Sequence, residues 1–163
     1  MRANSVEAPS VARATLTLFH WYARWYMYWR LHSIRVSTLT PPMLSGVPIV
    51  VCMNHPSWWD PLVAMTLALR LFGGRQHFAP IDSRSLSKYK FFERIGFFGI
   101  EPGSAKGAAR FLRTASAILR NPQAMLWVTA QGAFTDVRQR PVALRSGLGH
   151  LASRCPKFAL LPV

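Results

Sequence analysis

At 163 residues and 18.4 kDa the chain is long enough for one domain with a real hydrophobic core. Half of its residues are hydrophobic and its mean hydropathy is +0.13, which excludes a disordered chain. Lys and Arg number 20 against 6 Asp and Glu, a net charge of +14, so its natural polyanions are nucleic acid or an anionic bilayer surface.

The 6 Trp, 10 Phe and 4 Tyr favour the bilayer, because amphipathic rings settle at headgroup level. Aromatics between cations also make base-stacking platforms, so nucleic acid stays a rival. Cys52 and Cys155 stand far apart, with no CxxC and no His-rich tract. That spacing argues against a disulfide scaffold or a zinc site and fits a reducing compartment.

In chain order, Met1 to Ser10 read as a loose lead-in without a secretory pattern. Val11 to Val36 is apolar and aromatic, carrying Phe19, Trp21, Tyr22, Trp25, Tyr26, Met27, Tyr28 and Trp29. Arg13, Arg24, Arg30 and Arg35 interrupt it, a mixture that suits an amphipathic helix lying on a membrane surface. A mid-segment Arg24 is costly in a spanning helix, and a core helix is the plain alternative. Thr40-Pro41-Pro42 is a breaker, dividing an interfacial segment, residues 1–40, from a domain over residues 41–163.

Beyond it strands and helices alternate. Strands are expected over Gly46–Met53, Gln76–Ile81, Gly96–Ile100, Ala124–Thr129 and Phe158–Val163. Helices are expected over Asp60–Phe72, with Asp60 as N-cap, over Ser104–Leu119 and over Leu144–Arg154, and a helix or helical turn over Arg84–Ile95. This alternation implies an α/β fold with a mostly parallel sheet flanked by helices. The ending Leu160-Leu161-Pro162-Val163 reads as a strand cut at its end, so a truncated C-terminus is expected.

The sharpest feature is Asn54-His55-Pro56-Ser57-Trp58-Trp59-Asp60, between a buried strand and a helix start. Ligands of α/β sheets bind beyond the carboxyl ends of strands, where this loop falls. A His followed five residues on by an Asp across a Pro-containing turn can bring imidazole and carboxylate together. The carboxylate would keep one ring nitrogen protonated and leave the other free as a base. Such a base suits a reaction whose nucleophile arrives with the substrate, such as an alcohol attacking a thioester. The plain alternatives are a helix N-cap for Asp60 and a satisfied loop histidine for His55.

These seven residues resemble the NHxxxxD signature of the glycerolipid acyltransferase family, which includes lysophosphatidic acid acyltransferases. Further segments are similar in order and spacing: Phe91 to Ile100 leads into the family's second motif, and Trp127 to Gly132 resembles the strand and turn of its third. Arg145 to Ala152 matches the following helix start, and Leu161-Pro162-Val163 the beginning of the fourth motif. The resemblance implies that His55 deprotonates a lipid hydroxyl as it attacks an acyl-CoA or acyl-carrier-protein thioester, with Asp60 orienting the imidazole. Asn54 and Ser57 would shape the loop or bind substrate. The expected partners are the thioester donor, a lysophospholipid or related lipid acceptor and an anionic membrane surface at its cytoplasmic face. No cofactor, metal or nucleic acid is expected.

Departures from the family pattern are informative. Glu101-Pro102 stands where an arginine usually follows the third strand, Gln131 replaces the glutamate before Gly132, and Phe134 replaces an arginine. Those positions bind the acceptor's phosphate in typical members, so phosphate-bearing and phosphate-free acceptors both stay open. Gln131 can still hydrogen-bond substrate, and Arg138, Arg140 or Arg145 can supply replacement charge, a solvated basic face being the plain alternative. Ser104 and Lys106, at a helix start after Pro102-Gly103, can hold one anionic group or serve as an ordinary cap. A non-catalytic membrane-binding relative is the main rival to the enzyme.

Overall fold

The computed structural model describes residues 8–36, 44, 46–155 and 157–163. The Thr40-Pro41-Pro42 break and most of the lead-in lie outside them. The elements are α1 (Arg13–Arg30), β1 (Ile49–Met53), α2 (Asp60–Leu71), β2 (Gln76–Asp82) and α3 (Ser83–Lys88). A 3-10 turn (Lys90–Ile95), β3 (Phe97–Ile100), α4 (Ala105–Ile118), β4 (Ala124–Thr129), α5 (Gly147–Arg154) and β5 (Ala159–Pro162) follow.

The five strands form one sheet in the order β3-β2-β4-β1-β5, and every pairing is parallel. A parallel sheet is covered on both faces, so its central strands must be apolar on both sides. β1 meets this requirement with Ile49, Val50 and Val51, none of which reaches solvent. Val50, Phe78, Phe98, Leu126 and Val128 pack against Phe111, Ala115 and Ile118 of α4 and Leu151 of α5. Ile49, Val51, Met125 and Trp127 face the other way, onto Ala64 and Ala68 of α2. Alternation along β4 thus divides one sheet between two layers.

Two expectations are refined by the structure. The helix or helical turn expected over Arg84–Ile95 is α3 followed by a 3-10 turn, separated at Tyr89 by a non-helical backbone. The turn ends on Gly96 at φ 99, where a Cβ would lie 2.2 Å from the carbonyl oxygen of His77. Asp60 is not the N-cap of α2 but its first residue; Trp59 occupies the cap position without a capping side-chain bond. Its carboxylate is turned back to the preceding loop, where stronger donors wait. Ser104 does cap α4 as expected, accepting a hydrogen bond from Gly107 N.

Between the α2 layer and the sheet sits His77. Its Nε2 lies 3.1 Å from the Phe72 carbonyl, and its Nδ1 accepts from Trp127 Nε1 at 3.2 Å. With Nδ1 occupied as an acceptor, Nε2 donates and the ring is neutral. Burial, aided by Arg75, pushes its pKa down from 6.5 to about 4. Because the unfolded chain takes up this proton first, stability contributed by the neutral ring is complete above the unfolded value and is lost as pH falls towards the folded one. A wild-type melting series should therefore lose roughly 3 kcal/mol between pH 6.5 and 4 from this ring alone. His77→Gln should flatten that part of the slope; an unchanged slope would contradict the assignment.

Candidate active site

β1 ends at Met53, paired with Thr129 at the end of β4. The parallel pairing therefore sends the loops after β1 and β4 out side by side, beyond the same edge of the sheet. They are tied together through the main chain of His55. Its N–H donates to Gln131 Oε1 at 3.0 Å, and its carbonyl accepts from Thr135 N at 3.0 Å. Gln131 thus serves as a tether for the histidine backbone.

The imidazole is fixed from the other side. His55 Nδ1 lies 2.8 Å from Asp60 Oδ2, and the same oxygen accepts from Ser57 N at 3.0 Å. Ser57 Oγ accepts from Trp59 N at 3.2 Å, which completes the turn into α2. Asp60 is 9% exposed, so its charge is held by these donors and by the positive end of α2 rather than by water. An ionised carboxylate only accepts, so Nδ1 carries the proton and the Nε2 lone pair is free. Among the described residues nothing hydrogen-bonds Nε2.

Aromatic rings frame this pair. Phe134 packs on His55 with centroids 4.3 Å apart and planes tilted by 30°, and Trp58 lies 5.1 Å from Phe134. On the inner side Trp59 stacks on Tyr26 of α1, at 5.5 Å and 25°. The turn after β4 needs Gly132, whose φ is 66 and whose missing Cβ would lie 2.7 Å from Arg145 Nε.

Of the sequence-predicted residues, His55, Asp60, Ser57, Gln131 and Gly132 come together. Asn54 adjoins them, exposed and with no side-chain hydrogen bond among the described residues. Ser104 and Lys106 do not join the cluster. Ser104 Oγ donates to Glu101 O at 3.1 Å while capping α4, and Lys106 Nζ lies 3.6 Å from Glu101. α4 starts beyond β3, three places from β1 in the sheet, roughly 14 Å at ordinary strand spacing. Arg138 is likewise committed elsewhere, forked onto Asp136 at 3.0 and 2.7 Å. Arg140 donates to the carbonyls of Val137 and Gln139. Sequence reasoning missed the packing of Phe134 on His55 and of Tyr26 on Trp59, which only the sheet order and the placement of α1 create. An apolar hollow of about 400 Å³ beside β5, lined by Leu148, Cys155 and Phe158 among others, shares no residue with this cluster.

A family model described as Acyltransferase matches residues 33–163. The chain belongs to that family, the glycerolipid acyltransferases. No curated protein and no solved structure matches it. The acyltransferase match spans all five strands of the sheet and both loops of the His55 cluster.

Asp60 can be dissected by two substitutions. Asp60→Asn can keep an oxygen at the Oδ2 position, and with it both hydrogen bonds, while losing the negative charge. Acyl transfer should fall by about 10²-fold with little change in melting temperature. Asp60→Ala removes the acceptor as well and strands Ser57 N, so it should cost more activity and about 1–3 kcal/mol of stability. Equal activity of both variants to wild type would exclude Asp60 from the chemistry.

Proposed function

We propose that this acyltransferase moves a fatty acyl group from a thioester, acyl-CoA or acyl-carrier protein, to a hydroxyl of a lysophospholipid or related lipid. The observation that carries the reading is the His55–Asp60 contact of 2.8 Å, with Nε2 bonded to nothing among the described residues. Nε2 takes the proton of the acceptor hydroxyl as its oxygen attacks the thioester carbonyl carbon. The tetrahedral intermediate collapses with cleavage of the C–S bond, and the imidazolium returns the proton to the departing thiolate. Asp60 stabilises the transient imidazolium, and Gln131 with Thr135 holds the histidine backbone in place. No protein nucleophile and no metal is required by this sequence of steps.

The reaction takes place at a membrane surface. At about 100° per residue, Leu18, Trp21, Tyr22, Trp25, Tyr28 and Trp29 fall within an arc of about 120° on α1, opposite the buried Ala23 and Met27. All six are exposed. Arg24 lies 5.9 Å over Trp21 and Arg30 lies 5.6 Å over Tyr26, cations placed beside rings. Rings at headgroup level with arginines reaching phosphates is the composition of an interfacial helix. Among the described residues no helix is long and apolar enough to cross a membrane. The net charge of +14 supports an anionic surface as the partner.

Thiol release from a long-chain acyl thioester, in mixed micelles with a panel of lipid acceptors, tests the chemistry. Acceptor-dependent release should fall by about 10²–10⁴-fold in His55→Ala. Release that does not depend on His55 would contradict the mechanism, and silence with every donor and acceptor would favour a non-catalytic relative. For the membrane reading, sedimentation with anionic vesicles should show partition falling about tenfold or more in Trp21→Ser/Trp25→Ser/Trp29→Ser. Partition unchanged by that triple substitution would remove α1 as the anchor.

A further inference from the structure

Two outward aromatic rings frame His55, Trp58 from its own loop and Phe134 from the loop after β4, and the His55 loop itself carries no Lys or Arg. Phe134 covers one face of the imidazole at 4.3 Å and is itself 48% exposed. Trp58, next in line at 5.1 Å from Phe134, is 80% exposed. A hydroxyl that reaches Nε2 must come in along the edge of the imidazole ring, because the nitrogen lone pair lies in the ring plane, and Phe134 flanks that path on one face. The atoms attached to that hydroxyl then lie beside the Phe134 and Trp58 rings.

The electrostatics of that place follow from its residues. Ring faces carry negative potential and attract polarised C–H groups, not anions. The Asp60 carboxylate is one side chain away. Arg138 is paired with Asp136, and Arg140 is folded onto the carbonyls of Val137 and Gln139. Arg145 is the remaining cation on these loops, and its side chain runs along Gly132, on the turn before Phe134. A phosphomonoester set beside the base would lose water against two rings and a carboxylate. A polyol presents a C–H face to the rings and hydroxyls to water, losing little on entry.

From this we infer that Phe134 and Trp58 form the acceptor platform and select an uncharged polyol headgroup, a sugar or a glycerol carried by a membrane lipid. The inference rests on the acyl-transfer reading above and names the substrate class of that same site. Phe134 acts by contact with the acceptor and by excluding charge beside the base.

The test compares three acceptors of matched chain length in neutral mixed micelles: a monoglycosyl lipid, a monoacylglycerol and a lysophosphatidate. Acyl transfer is read with a long-chain acyl thioester, and acceptor binding separately from the emission difference between wild type and Trp58→Phe. Wild type should use one or both neutral acceptors with kcat/KM about tenfold or more above lysophosphatidate. Whichever neutral acceptor leads decides between sugar and glycerol. Phe134→Arg, at a half-exposed position that spares the core, should lower transfer to the neutral acceptor and raise transfer to lysophosphatidate. Arg145→Gln should leave the preference unchanged. Preference of wild type for lysophosphatidate, or its loss in Arg145→Gln, would overturn the inference while leaving the His55 mechanism standing. Absence of transfer to all three acceptors would sink the mechanism instead. The inference would then be judged on binding alone, standing if the Trp58 emission responds to the neutral headgroups and falling if it responds only to lysophosphatidate.

Discussion

A single carboxylate oxygen, Asp60 Oδ2, receives both the His55 imidazole and the Ser57 main chain. Burying that charge is costly unless donors meet it, and the loop after β1 supplies two within 3.0 Å. The start of α2 adds a favourable dipole at the same point. The geometry of the histidine is therefore set by a residue whose own position is set by the helix. Remove the helix start and the imidazole loses its orientation; remove the carboxylate and the turn loses its acceptor. Gln131 closes the arrangement from β4, which the parallel pairing with β1 makes a fixed neighbour.

α1 meets the domain along the face opposite its exposed rings. Ala23 and Met27 are buried, Phe19 packs on Phe91 and Phe92, and Tyr26 stacks on Trp59 in the loop that carries His55. One helix thus holds an aromatic outer face and touches the His55 loop through Tyr26. On the proposed reading, a lipid acceptor lying in the interface reaches Nε2 without leaving the surface on which α1 rests. Rigid contact between anchor and loop would fix the depth of the base in the headgroup region.

Much of the fold was legible in the sequence because most strands are short apolar runs with Gly, Pro or Asn nearby and the helices carry their own start signals. Ala124–Thr129 and the capped helix after Ser104 were readable for that reason, and both are present. Asp60 was misread as a cap because Asp before Pro is a common helix opening, whereas its carboxylate finds stronger donors in the loop behind it. The order β3-β2-β4-β1-β5 is carried by packing between distant segments, and local pattern does not encode it. His55 and Asp60 were visible because they are close in sequence. Phe134 was visible only as an unexpected residue; its contact with His55 needs β4 beside β1. Ser104 and Lys106 looked like an anion site because a helix start with a lysine does so anywhere, and the sheet order puts them three strands away.

The proposed chemistry turns on which nitrogen of His55 holds its proton. Nitrogen-15 and proton NMR of protein labelled at histidine, with His55 assigned by His55→Gln, reads this directly. The structure predicts a neutral His55 ring protonated at Nδ1, its proton shifted downfield by the Asp60 carboxylate and restored to an ordinary position in Asp60→Ala. A neutral ring protonated at Nε2, unaffected by Asp60→Ala, would contradict the account, because no lone pair would then face the acceptor.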